Sequence, residues 1–193
     1  MPLSQKVALI TGAGRGTGQR LALELAQAGA TIIVVDINPD AVQRTVDAIT
    51  QAGGHAVAQP NDVSHKIATQ TMLYAVLEQF PRIDILLNAA HIAPSNSALK
   101  MDEGEWNRTL DVNLKGAFIV SQTVARAMKE TGGGLIINLL RPPSAHAAVN
   151  AARSGLLGLT EALAAEWTPH GITVKAVESA DALLVIRELT NNQ

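Results

Sequence analysis

The chain has 193 residues, 47% of them hydrophobic but only 3% aromatic, with 15 basic and 17 acidic side chains for a formal net charge of −2. At that length one domain spanning 1–193 is expected, with a sizeable core of Ala, Val, Ile and Leu. The lack of cysteine excludes disulfides, thiolate catalysis and Cys-type zinc sites, the lack of a basic stripe argues against nucleic acid, and no run approaches the ~18 apolar residues of a membrane span.

Residues 1–6 carry no charged-then-apolar leader pattern, so a soluble cytoplasmic protein with no metal and no membrane partner is expected. Short apolar runs then alternate with longer amphipathic stretches. A strand over 7–11 is followed by a helix over 18–28, a strand over 31–36 by a helix over 39–52, and a strand over 55–59 by a helix over 64–79. Next come a strand over 83–88 with a helix over 103–130, and a strand over 135–139 with a helix over 147–168. A last strand over 172–177 precedes a weaker helical pattern over 181–189. Gly29, Gly53-Gly54, Pro81, Gly132 to Gly134 and Gly171 punctuate the joints. Such alternation implies parallel strands joined by right-handed crossovers, an α/β doubly wound sheet in the order 3-2-1-4-5-6.

Thr11-Gly12-Ala13-Gly14-Arg15-Gly16-Thr17-Gly18 follows the first strand and opens the first helix. Glycine lets a backbone turn sharply and approach a pyrophosphate without a Cβ clash. The helix N-terminus then offers free N–H groups and the positive end of its dipole. Gly12, Arg15, Gly16, Thr17 and Gly18 are therefore candidate cofactor residues of a Rossmann fold. Asp36 ends the second strand, where an acid can accept bonds from the adenosine ribose and repel a 2′-phosphate. With Ile37 next to it, NAD is favoured over NADP, although Arg15 could reach a 2′-phosphate. Two blander readings stay open: a glycine-rich turn without a ligand, and a turn acid beside Asn38-Pro39.

The spacing Gly12-x-x-x-Gly16-x-Gly18 resembles that of the short-chain dehydrogenase/reductase family, and the resemblance continues along most of the chain. Asn61-Asp62-Val63 is similar to that family's adenine-contacting pair. Leu86-Leu87-Asn88-Ala89-Ala90-His91 resembles its segment after the fourth strand. Asp111-Val112-Asn113-Leu114-Lys115-Gly116, with Trp106 before it, resembles its long helix. Gly155-Leu156-Leu157-Gly158-Leu159-Thr160 through Glu166-Trp167 resembles the helix after its active site. The resemblance implies that Asp62, Val63, Asn88, Ala89 and Ala90 hold cofactor, and that such a protein is an NAD(P)-dependent oxidoreductase of ketones or secondary alcohols.

In that family a Tyr exchanges a proton with the substrate oxygen, assisted by a Lys four residues on, a Ser and an Asn. Here the Tyr position is Val149, the Lys position Arg153 and the Ser position Arg141; only Asn113 is retained. Valine cannot transfer a proton, and arginine does not replace lysine in a tight site. Arg153 keeps a cation that could contact cofactor. Asn113 could be catalytic or simply bond neighbouring backbone. His146 and Ser144 lie where the missing groups belong, and His146 could serve as acid or base, or be a loop histidine facing water. His91 could crowd the cofactor or point outward, Arg141-Pro142-Pro143 reads as a rigid turn or an anion site, and Tyr74 is expected far away. Glu178-Ser179-Ala180 stands where the family has a Pro-Gly turn and a substrate lid, which implies a fold truncated at its C-terminal end with the last strand as a sheet edge.

Three readings follow: an NAD(H)-binding protein without the family's usual hydride-transfer chemistry, an NAD-dependent oxidoreductase acting on a small molecule with displaced catalytic groups, or a non-catalytic interaction protein. Ala151, Ala152, Leu156, Leu159, Ala162 and Leu163 suggest a homo-oligomer, dimer or tetramer.

Overall fold

A computed structural model describes residues 3–191. Six parallel strands, β1 Val7–Thr11, β2 Thr31–Asp36, β3 His55–Pro60, β4 Ile85–Asn88, β5 Gly134–Leu140 and β6 Ile172–Glu178, form one sheet in the order β3-β2-β1-β4-β5-β6. The helices are α1 Gly16–Gln27, α2 Pro39–Gln51, α3 Lys66–Gln79, α4 Glu103–Leu110, α5 Ala117–Glu130, α6 Ala147–Trp167 and α7 Ala182–Asn191. Strand side chains alternate between two apolar layers. Ile10, Val34, Leu87 and Ile137 pack against α1, α2 and α7 through Leu21, Leu25, Val42 and Ile186. Leu9, Ile33, Leu86 and Ile136 pack against α3, α5 and α6 through Leu73, Val76, Val124 and Leu163.

The predicted α/β doubly wound sheet and its strand order are observed, with β6 at the sheet edge among the described residues. The boundaries that moved have local causes. Helix α3 starts at Lys66 because Asp62 accepts bonds from the Ser64 amide and hydroxyl, holding that residue in a turn. Strand β4 starts at Ile85, and the Asp84 before it is tied to β1 by its carboxylate, which accepts from the Val7 amide and pairs with Lys6 and Arg82. The predicted helix over 103–130 is interrupted by a π-helical turn, Asp111–Gly116, between α4 and α5. That turn lets Asn113 face the segment after β4, and π-turns recur at functional sites.

Four buried amides and hydroxyls cross the sheet in a line. Asn88 Nδ2 on β4 donates to Ser121 Oγ on α5 and to Asn138 Oδ1 on β5, each at 2.8 Å. Asn138 Nδ2 donates in turn to Thr160 Oγ1 on α6 at 2.8 Å.

Candidate functional site

Strand order reverses between β1 and β4, and the crevice outside their C-terminal ends is where an open α/β sheet takes ligands. The β1–α1 turn is its floor. Gly12 and Gly16 have φ of 65° and 58°, a conformation that side chains resist. Nothing lies within 4 Å of the place a Gly16 Cβ would occupy, so the backbone there is open to a close approach. At Gly18 a Cβ would instead land on the Gly12 carbonyl oxygen, so that glycine serves strand–helix packing. No side chain caps the N-terminus of α1, which leaves its first amides facing the crevice.

Asp36 closes one end of the crevice. Its Oδ2 accepts from the Gly14 amide and its Oδ1 from the Asn38 amide, both at 3.1 Å. The carboxylate is thereby fixed beside the turn with lone pairs left for a ribose hydroxyl. Asp62 and Val63 form the neighbouring wall. Burial pushes the Asp62 carboxyl up, but the Ser64 bonds at 2.7 and 2.9 Å, with His65 and Arg108 nearby, outweigh it and hold the group below the usual range. Thr11 Oγ1 accepts from the amides of Ala89 and Ala90 at 3.1 and 3.2 Å, seating that segment against β1. Together these residues bound an open groove of about 320 Å³, lined by Gly12, Arg15, Gly16, Asp36, Asp62, Val63, Ala89 and Ala90. Thr17 sits on the first turn of α1, with its Oγ1 accepting a bond from Arg141 Nη1 at 3.0 Å.

Beyond Arg141 the crevice narrows to a cavity of about 30 Å³ over β5 and α6. Val149, where the resemblance places the acid–base tyrosine, is only 3% exposed and forms part of the wall with Leu139, Leu140 and Leu156. Arg153 also lines the cavity, but its guanidinium is engaged elsewhere. Its Nη2 pairs with Glu178 Oε1 at 2.5 Å and its Nε donates to the Arg141 carbonyl at 2.9 Å. The Arg153 guanidinium is thereby held by a carboxylate from β6. Asn88 lines the same cavity, its amide nitrogen donating to Ser121 and Asn138. Asn113 both donates to and accepts from the Ile92 backbone at 2.8 Å, which is the backbone-bonding role rather than a free polar group.

Among the other candidates, His146 lines neither groove nor cavity. It is partly exposed, with its Nδ1 enclosed and without a partner. Ser144 is strapped to Asn150 on α6 by its amide and carbonyl. Tyr74 is 67% exposed on α3 and lines neither the groove nor the cavity. His91 turns inward and lines both the groove and the cavity. Burial, with Arg141 beside it, pushes its imidazole down to about 4, so it is neutral at pH 7. Arg141 is more than a turn residue: it spans from the end of β5 to Thr17, and burial lowers its guanidinium pKa. Sequence reasoning missed Arg108, which lines the groove from α4, because nothing in the pattern of that helix distinguishes it from a solvated arginine. No group of three or more His, Cys, Asp or Glu that could hold a metal occurs among the described residues. None of their helices is long and apolar enough to cross a membrane.

A family model described as short chain dehydrogenase matches residues 6–182. The (2S)-[(R)-hydroxy(phenyl)methyl]succinyl-CoA dehydrogenase subunit BbsD of Thauera aromatica is 35% identical over 181 residues, covering 92% of this chain and 73% of that protein. An NAD-dependent glycerol dehydrogenase of Listeria innocua is 32% identical, covering 91% and 70%. The crystal structure of a metagenomic short-chain oxidoreductase in complex with NADP superposes with a TM-score of 0.92 at 29% identity, covering 99% of this chain and 93% of that one.

Proposed function

Because the chain belongs to the short chain dehydrogenase family, we propose that it binds NAD(H) in the groove over the β1–α1 turn and does so without the Tyr/Lys-assisted carbonyl–alcohol chemistry of that family. The observation that carries this reading is the contrast at the two turns: open space at Gly16 under an uncapped helix N-terminus, and a buried aliphatic side chain at Val149. The amides of α1 would receive the diphosphate, with the helix dipole favouring negative charge there. Asp36 would take the ribose hydroxyls and repel a 2′-phosphate, which favours NAD over NADP. Arg15 and Arg108 line the same groove and are the cations that would soften that preference. A bound nicotinamide cofactor supplies a centre that accepts or donates hydride. Opposite that centre a proton must be exchanged with substrate. Val149 has none to give, and Arg153 is paired with Glu178.

Titration with NADH and with NADPH, followed by calorimetry, tests the binding. Saturable NADH binding tighter than NADPH binding supports it. Equal or tighter NADPH binding overturns the cofactor preference, and no saturation at millimolar cofactor overturns the reading itself. Turnover of any member of a broad panel of ketones and secondary alcohols would overturn the missing chemistry. The rival reading, oxidoreduction with displaced groups, draws on the dehydrogenase names of the relatives and on His91 at the cavity; turnover that disappears in His91→Gln would favour it. Self-association belongs to the same proposal. Phe118, Leu159, Ala162, Leu163 and Trp167 line an open groove on the outer face of α5 and α6, whereas Ala152 and Leu156 are buried away from it. Light scattering should give a dimer or tetramer, and a monomer would remove that part.

A further inference from the structure

Arg141 is electrostatically out of place. A half-buried guanidinium hydrogen-bonds Thr17 on the first turn of α1, the positive end of a helix dipole, where a cation is unfavourable and an anion favoured. Among the described residues no carboxylate pairs with it. Thr17 takes one of the five N–H donors that a guanidinium carries. A partly desolvated cation with no carboxylate partner in such a position favours an anion as its complement.

Arg141 also marks a boundary, because it lines both the groove and the cavity beyond it. On the groove side lie about 320 Å³ and the Asp36 carboxylate. On the other side lie about 30 Å³, room for a water or two, whereas an enclosed site that accepts a benzene ring measures about 150 Å³. Aliphatic side chains at Val149, Leu139 and Leu156 occupy that side, together with Arg153, which is paired with Glu178. Arg153 also binds the Arg141 carbonyl, so the same pair fixes the backbone from which Arg141 reaches back.

We infer that the site recognises the adenosine diphosphate part of its ligand, with Arg141 as a clamp on the phosphate distal to adenosine, and that the nicotinamide ring of a dinucleotide has no seat in this fold. The inference rests on the nucleotide-binding reading above and narrows it: the ligand class is adenosine diphosphates, ADP-ribose and ADP included, with NAD(H) as one member. Asp36 grips the ribose, the α1 amides and Arg141 grip the diphosphate, and whatever follows the second phosphate extends into solvent.

Calorimetry on the full chain decides it. ADP-ribose and NADH are expected to bind with dissociation constants within about threefold of each other, a difference of under 1 kcal/mol, and nicotinamide mononucleotide is expected not to saturate at millimolar concentration. Arg141→Gln should weaken ADP-ribose and NADH by about tenfold or more, the scale of a charge-assisted bond, and leave adenosine affinity unchanged. A merely structural Arg141 would weaken all three together. If Arg141→Gln does not fold, Arg141→Lys, which keeps the charge and loses the fork, should give a smaller loss of the same selectivity. NADH binding ten or more times tighter than ADP-ribose would overturn the inference and leave nucleotide binding standing. Saturation by neither would overturn both.

Discussion

Around the β1–α1 turn the backbone is bare. Gly16 has no neighbour where a side chain would be, the helix has no cap, and Asp36 waits with free lone pairs. Around the β5–α6 turn, on the same side of the same sheet, side chains fill the space: Val149, Leu139 and Leu156 form the wall, and Arg153 is spent on Glu178. One end keeps its polar backbone for a ligand, while the other has been converted into core. In the proposed function, cofactor recognition and chemistry belong to different crossovers of the sheet, so each can be probed by itself.

The contrast can be broken in order of expected effect. Gly18→Val places a side chain on the Gly12 carbonyl and should cost about 3 kcal/mol in urea unfolding, as overpacking does, with loss of NADH binding. Gly16→Ala makes the sharper comparison: its φ of 58° costs about 1 kcal/mol, but the added methyl stands in the approach to the backbone, so binding should fall far more than stability. At the filled end, Val149→Ala should cost about 2 kcal/mol through the cavity it leaves and leave NADH affinity unchanged; a tenfold affinity loss would mean that this end does touch cofactor. Asp36→Ala should weaken NADH by about tenfold, about 1.4 kcal/mol, and weaken NADPH less, which competitive titration would read.

The smallest effect is a pH dependence. The His91 pKa falls from 6.5 to about 4 in the folded protein. Between those values the unfolded chain holds a proton that the folded one does not, so stability is lost as pH drops from 6.5 towards 4. Allowing for partial exposure, wild type should lose about 1 kcal/mol more than His91→Gln between pH 7 and pH 4.5. Equal losses in urea titrations at the two pH values would place His91 in water rather than at the boundary beside Arg141.

Much of the scaffold was legible because its signals are local. Apolar runs between glycine joints gave the strands, and the glycine turn with Asp36 marked the crevice end that holds the groove. What escaped was pairing across the sheet. Arg153 meets Glu178 from 25 positions away, Arg141 meets Thr17 from 124, and Asn88 meets Asn138 from 50. No spacing rule links such residues; only the order of β1, β4, β5 and β6 in the sheet does. The π-turn at Asp111–Gly116 was hidden for a related reason, because Asn113 abandons the regular helix to bond Ile92 in a loop 21 positions earlier.

The line of amides across the sheet works as a vernier. Ile85 to Asn88 and Leu135 to Leu140 are almost uniformly aliphatic, and two such strands could slide past each other at little cost in burial. Asn88 lies opposite Asn138 in the observed alignment. A slip of one residue would set each amide against an apolar residue and break the Asn88–Asn138 bond, at about 1–3 kcal/mol for each polar group left dry. Two asparagines thereby choose one alignment out of several for the centre of the sheet, and with it the height at which the ends of β4 and β5 meet.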